Sequence, residues 1–432
     1  MINLFYLLFF SALFRLSLDV GYVWTSKFFA YVGIVNNPHN YLEYVLSYVL
    51  IFILALFVSI NKPFKPSQFV FILLFIFAYI PATCVFANNK EFLLPSILKM
   101  TVCMMLIGAS TRFNIVPVIS LKQLKYSKTY LVVCLFFFTT ITLFLIVKTY
   151  GITTKIPSLS GQEIYALRDD FAVKTSRGIA YFLGWQANVI CVVILAIGML
   201  RKKPLWIIFA LIIQIFLFAT AGMKSHIFTP PIFMICYFGL RKFYKNFTFY
   251  LLGVFTVFMV LIPVAVESQY NLPPIMTTFS VRRTFLVPSQ LYFYYYSFFL
   301  EHPYDYFSSH FPIKLFSKSN YKKDIPGEIG WEFYRERKAH ANASMFADGF
   351  SDAGFIGMLI NTLLLCLWLG AIDCLAKNKE KELVAGTILM PTLALNSTGL
   401  ISAIIGNGFV VSLLIIYLLP CVPETMESNK LI

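Results

Sequence analysis

Arg201-Lys202-Lys203-Pro204-Leu205-Trp206-Ile207-Ile208-Phe209-Ala210-Leu211-Ile212-Ile213-Gln214-Ile215-Phe216-Leu217-Phe218-Ala219-Thr220-Ala221 decides the fold class. Three cations stand at its head, and residues 204–221 carry no charge at all. A helix of about 20 such residues crosses a hydrocarbon core of roughly 30 Å. The run is continuous rather than alternating, which excludes a β-barrel strand and leaves a helix whose backbone groups satisfy one another in lipid. A polar break, Gly222-Met223-Lys224-Ser225-His226, follows before the next apolar run begins.

Comparable runs recur along the chain, near 2–22, 42–60, 67–87, 92–110, 129–147, 178–199, 226–240, 247–266, 353–375, 383–397 and 400–419. With 204–221 they predict an all-α polytopic membrane protein of about 12 transmembrane helices, a single transmembrane domain over 1–432. Composition agrees: 59% of the 432 residues are hydrophobic, 13% are charged, and the mean hydropathy is +0.76. So few charges cannot cover a water-facing surface, so the solvent is the lipid bilayer. The eight cysteines fall in or at the edges of the runs with no CxxC pair, and read as small buried thiols. No small-residue cleavage site follows the first run, which is expected to be an uncleaved anchor.

The net charge of +15 does not point to nucleic acid, because much of it sits in short clusters between apolar runs. Those clusters alternate. Lys62 and Lys65; Arg112, Lys122, Lys125 and Lys128; Arg201 to Lys203; Arg241, Lys242 and Lys245; and Lys377, Lys379 and Lys381 all fall on one side. The positive-inside rule makes that side cytoplasmic, with both termini on it. Two outer segments exceed ordinary connector length, a shorter periplasmic loop at 148–177 and a large one at 267–352 between spans 9 and 10.

Side chains suited to chemistry concentrate on those outer segments. All five histidines (39, 226, 302, 310 and 340) lie there or at outer helix ends, where the ordinary alternative for each is a solvated or capping role. His340 stands out because His340-Ala341-Asn342-Ala343-Ser344 precedes a returning helix. Arg168, Arg177, Arg282, Arg283, Arg335 and Arg337 supply guanidinium forks that match phosphate, with lipid headgroup binding as the plainer alternative. Lys224 lies in the outer break, facing either an anionic ligand or the headgroups. The run Ser289 to Leu300, with Tyr295 near its middle, predicts an aromatic helix lying at the interface. Arg15 and Asp19, four apart, are placed to neutralise each other, as are Asp373 and Lys377; Lys99 lacks a local partner. Phosphate-binding glycine loops, zinc spacings and hydrolase elbows are absent. No cofactor or metal is called for, because arginines can carry the charge and the outer loops show no carboxylate cluster at metal spacing beyond Asp169-Asp170.

Two stretches resemble bacterial O-antigen and capsule repeat-unit polymerases of the Wzy type. One is Arg283-Thr284-Phe285-Leu286-Val287-Pro288 with the aromatic run and Phe299-Leu300-Glu301-His302-Pro303. The other is Asn342-Ala343-Ser344-Met345-Phe346-Ala347-Asp348-Gly349-Phe350 with Gly354-Phe355-Ile356-Gly357. Gly222-Met223-Lys224-Ser225 is a weaker third match. The resemblance implies glycosyl transfer between glycans on undecaprenyl pyrophosphate at the periplasmic face of the inner membrane, beside a flippase and a chain-length regulator. It implies a base for the acceptor hydroxyl, with His340 as first candidate and Asp348 and Asp352 as alternates. Arg168, Arg177, Lys224 and either of Arg282 and Arg283 would take the phosphates, with Tyr295 and Asn342 beside the glycan. An O-antigen ligase of the same architecture and a flippase for lipid-linked oligosaccharide are the alternatives. A flippase would place polar residues deep in several spans.

Overall fold

A computed structural model describes residues 2–58, 64–113, 124–151, 157, 163–310, 316, 319–336 and 340–421. Lys62, Lys122, Arg337 and the C-terminal tail lie outside the described residues, as do parts of both long outer segments. Among the described residues there is no β-strand. The helices in order are α1 (Ile2–Phe29), α2 (Tyr41–Ala55), α3 (Pro66–Asn88), α4 (Leu94–Phe113), α5 (Ser127–Tyr150), α6 (Glu163–Lys174), α7 (Arg177–Leu200) and α8 (Pro204–Ala221). There follow α9 (Ser225–Lys242), α10 (Tyr244–Gln269), α11 (275–301), α12 (Ile325–Tyr334), α13 (Met345–Ala376), α14 (Lys381–Ala394) and α15 (Leu400–Leu418).

Among the described residues, nine helices are long and apolar enough to cross a membrane: α1, α3, α4, α5, α7, α8, α10, α13 and α15. The shorter or more polar α2, α9 and α14 occupy the three other positions where the sequence predicts a span. The protein is therefore an all-α polytopic membrane protein. α3 is enclosed along its whole length, whereas α5 bares Val133, Phe136, Phe137 and Phe144, and α8 bares Leu205, Ile208 and Ile212. Faces of that size exposed to water would drive aggregation; against lipid tails they cost nothing. Pro66 and Pro204 begin α3 and α8, where the missing N–H is no loss.

Several of the basic connections lie against one another. Lys65 Nζ donates to Thr111 O at 3.4 Å, Arg201 pairs with Glu380 at 3.2 Å, and Lys381 lies 3.8 Å from the centroid of the Tyr244 ring. Asp373 is also here, and contrary to the sequence expectation it pairs with Ser67 rather than with Lys377. Its carboxylate accepts from Ser67 N (2.9 Å) and Ser67 Oγ (2.6 Å), capping the first turn of α3. Elsewhere Asn37 N donates to Asn88 O (3.0 Å), Trp185 Nε1 to Ile405 O (2.6 Å) and Met345 N to Leu395 O (2.9 Å).

The stretch read as a large loop contains two features that position the site. First, the aromatic run is not a surface helix. α11 packs into the bundle, with Ser289 to Tyr296, Phe298 and Phe299 all buried. Phe285 touches the rings of Phe14, Phe77 and Phe255, each well inside a long helix. Polar tips along it find partners: Tyr292 Oη donates to Ser96 O (2.7 Å), and Lys99 Nζ, without a local partner in sequence, reaches Tyr296 Oη at 3.0 Å.

Second, α13 reverses direction at Ala353 (φ −155°, ψ 34°) and Gly354 (φ 62°, ψ −141°). Asn361 Nδ2 consequently donates to Met345 O at 3.2 Å, although a straight helix would separate residues so far apart in sequence by about 24 Å. Glycine is needed at the bend, because a Cβ at Gly354 would sit 2.8 Å from Tyr304 Oη in a backbone region reserved for glycine. The short first limb, 345–352, carries Asp348 and Asp352.

Candidate functional site

Asp305-Tyr306-Phe307-Ser308-Ser309-His310 forms a tight turn against that first limb. Asp305 N donates to Ser351 O and Tyr306 N to Asp352 O, both at 2.9 Å. The Asp305 carboxylate accepts from Ser308 Oγ (2.7 Å), Ser309 N (2.9 Å) and Ser319 Oγ (2.6 Å). Burial would raise its pKa, but these hydrogen bonds hold it below the ordinary carboxylate value. Tyr306 and Phe307 are both left-handed, at φ 51° and 61°. Two consecutive aromatic residues in that conformation store strain, which the turn's hydrogen bonds and packing sustain.

The turn delivers His310 to the carboxylates. Its Nε2 lies 3.1 Å from Asp352 Oδ2 and 3.6 Å from Asp348 Oδ1. Burial alone would lower the His310 pKa; contact with Asp352 and the charges of Asp348 and Asp305 lift it to about 9. Asp352 is 1% exposed, and neither carboxylate oxygen has a hydrogen bond of good geometry. Asp348, one helical turn earlier on the same face, is partly open and packs directly on Gly399, where any side chain would collide with it.

His310 also lines a cavity of about 640 Å³, within the usual range for small-ligand sites. Polar groups around it include Arg177, Asn188, Asn407 and Ser402. His226, buried at 3%, lines it too, with Nδ1 lacking a hydrogen-bond partner.

Residues of the 221–226 break line the cavity, and four of the predicted phosphate-binding cations, Arg168, Lys224, Arg282 and Arg283, lie at or near that break. α8 ends there because Gly222 is left-handed (φ 63°), and Arg168 Nε donates to its carbonyl at 2.9 Å. A Cβ at Gly222 would press on Ile164 O (3.2 Å) and Arg168 Cγ (3.3 Å). Lys224 Nζ sits 4.7 Å from the centroid of the Phe279 ring, and the Arg283 guanidinium 5.8 Å from that same centroid. Arg282 covers Phe29 at 4.2 Å with its Nε unbonded; burial and then the neighbouring charge of Arg283 lower its pKa. Both arginines lie in a π-helical stretch, Thr278–Leu286, a geometry frequent at functional sites.

Compared with protein-family models, curated proteins and solved structures, the chain matches none of them. The resemblance to repeat-unit polymerases therefore rests on its motifs.

Set against the sequence expectations, the structure brings Asp348 and Asp352 together, and joins Arg168, Lys224, Arg282 and Arg283 around one break and two rings. Arg177 is separate from that group, on the cavity. His340, the favoured base, is exposed beside Asp324 at 3.4 Å, and Asn342 is exposed as well. Tyr295 is buried, its Oη donating to Ala341 O at 3.0 Å, and so fastens the returning segment rather than presenting a ring to a glycan. Among the other histidines, His39 lies between Glu43 Oε2 (2.7 Å) and Phe92 O (3.0 Å), and His302 stacks on Phe298. Arg335 pairs with Glu332 at 3.5 Å, and Asp170 with Lys174 at 2.8 Å. His310 was the residue missed. An acid followed at three and four positions by serines marks the turn that aims it, a signal readable beforehand.

Proposed function

We propose that the protein is a glycosyltransferase of the inner bacterial membrane that joins undecaprenyl-pyrophosphate-linked repeat units at the periplasmic face, building an O-antigen or capsule polysaccharide. The observation that carries this reading is the 221–226 break, which lines the His310 cavity and is met by cations from α6, the break itself and α11. In the reaction, an acceptor hydroxyl oxygen attacks the anomeric carbon of the donor glycan. The bond from that carbon to the pyrophosphate oxygen breaks, its electron pair leaves with the phosphate, and the acceptor proton passes to the His310–Asp348–Asp352 cluster. Lys224, Arg283, Arg282 and Arg168 offset the charge appearing on the leaving group. The base role moves from His340 to this cluster, because His310 lines the cavity and His340 does not. The alternating basic connections support an orientation with both termini cytoplasmic and the cavity periplasmic.

Deletion of the gene in its host, followed by gel analysis of surface polysaccharide, tests the proposal. A single repeat unit remaining on the lipid core, restored to a full ladder by wild type but not by Asp352→Asn or Arg283→Ala, supports a polymerase. Free unattached polymer indicates a ligase, cytoplasmic accumulation of lipid-linked units a flippase, and either overturns it.

A further inference from the structure

We propose that His310, Asp348 and Asp352 bind a divalent transition-metal ion beside the cavity. One ligand atom from each lies within 4.8 Å of the others, and the two distances from His310 Nε2 are 3.1 and 3.6 Å. With metal–ligand bonds of about 2.1 Å, neighbouring ligands stand roughly 3.0 Å apart in an octahedron and roughly 3.4 Å in a tetrahedron. The 3.1 Å spacing falls inside that range and the 3.6 Å spacing just above it, so a small inward shift of the Asp348 side chain would close the set around an ion.

Asp352 supplies an independent observation. Its carboxylate is 1% exposed, and both oxygens lack a well-formed hydrogen bond. A buried carboxylate left in that state is costly unless something charged sits upon it. His310 approaches Oδ2 at 3.1 Å and the Phe307 N–H faces the carboxylate, neither with the geometry of a full hydrogen bond. An ion within reach of all three side chains would meet that need, and two carboxylates balance its double charge. One imidazole with two carboxylates is a donor set of intermediate hardness, suited to Mn²⁺ or Zn²⁺.

The frame around the three ligands is built for fixed positions. Asp348 and Asp352 are one turn apart on a short helical limb, which the Gly354 reversal closes behind them. His310 is held by the Asp305 turn, whose backbone bonds to that same limb. Three protein ligands leave at least one coordination position for water or a hydroxyl oxygen. What the ion acts upon rests on the function proposed above: it would hold the acceptor hydroxyl and favour release of its proton. Binding of the ion itself does not depend on that reading.

The test uses the full-length protein, purified in nanodiscs, stripped with EDTA and titrated with Mn²⁺ by electron paramagnetic resonance and calorimetry. One saturable equivalent is expected, weakened at least about tenfold in Asp352→Asn and in His310→Ala, and unchanged in Arg283→Ala. Asp348→Cys guards against misfolded variants, because this partly open position should exchange Mn²⁺ preference for Cd²⁺. Saturable binding that follows these residues while polymer length ignores the ion supports the site and removes its link to transfer. Absence of saturable Mn²⁺ and Zn²⁺ binding overturns the proposal, even where Asp352→Asn abolishes polymer, and so does binding unaffected by all three substitutions.

Discussion

Asp19→Leu is expected to be among the most damaging single substitutions in the bundle, and Arg15→Met should rescue it in part. Arg15 is fully buried on α1 and Asp19 is 6% exposed; the two form an ion pair one turn apart. The carboxylate also accepts from Tyr44 Oη and Tyr48 Oη (2.8 Å each) and from Asn88 Nδ2 (2.6 Å), tying α1 to α2 and α3. Arg15 in turn reaches Thr83 O at 3.2 Å. Removing the acid strands a buried guanidinium, which costs about 3–5 kcal/mol. The three stranded donors add about 1–3 kcal/mol each where they find no new partner. Arg15→Met with Asp19→Leu removes the stranded charge and leaves the stranded donors. The double variant should therefore be more stable than Asp19→Leu by about 3–5 kcal/mol, yet less stable than wild type. Reversible unfolding of all four proteins in mixed micelles gives the coupling energy directly. Additive single effects, with no coupling, would show that the pair and its network do not join these helices.

Three further outcomes follow from the site. Gly222→Ala should place a side chain against Arg168 and Ile164 and strain a left-handed residue by about 1–2 kcal/mol; weaker pyrophosphate binding with little loss of thermal stability is the expected result. Gly354→Ala should cost more than Gly222→Ala, because its backbone lies in a region closed to other residues and Tyr304 blocks the space; a comparison of melting temperatures checks the order. Asp305→Asn should speed amide exchange at Ser309, whose N–H the carboxylate accepts. Since the folded pKa of Asp305 is depressed, its contribution is present above the ordinary value near 3.8. It is lost as pH falls through the lower folded value, so exchange in the wild-type turn should stay slow at pH 5 and rise only in stronger acid.

Local signals in the sequence carried most of the fold. A span needs only a long apolar run and an alternating charge, both one-dimensional, and each predicted span coincides with a helix. The Arg15–Asp19 pair was legible for the same reason, since four residues make one helical turn. What escaped was set by contacts between distant segments. Tyr292 to Phe299 looked like an interfacial belt, but the rings run all round the helix rather than along one face, which marks a buried helix. Asp348 and Asp352 were legible as one helical face, whereas the reversal beneath them depends on Gly349 and Gly357 meeting across the bend. His310 and His340 could not be ranked from sequence, because the distinction lies in which one the Asp305 turn carries to the first limb of α13.

The most direct test of the transfer reading is polymerisation in proteoliposomes by the purified protein, supplied with undecaprenyl-pyrophosphate-linked repeat units and analysed by product length. Wild type should give chains of several units. Asp352→Asn should slow their growth by about 10²–10⁴-fold, and joint Lys224→Ala and Arg283→Ala should leave single units. Single units from the wild-type protein under conditions where they cross the bilayer unchanged, or full-length chains from both variants, would contradict it.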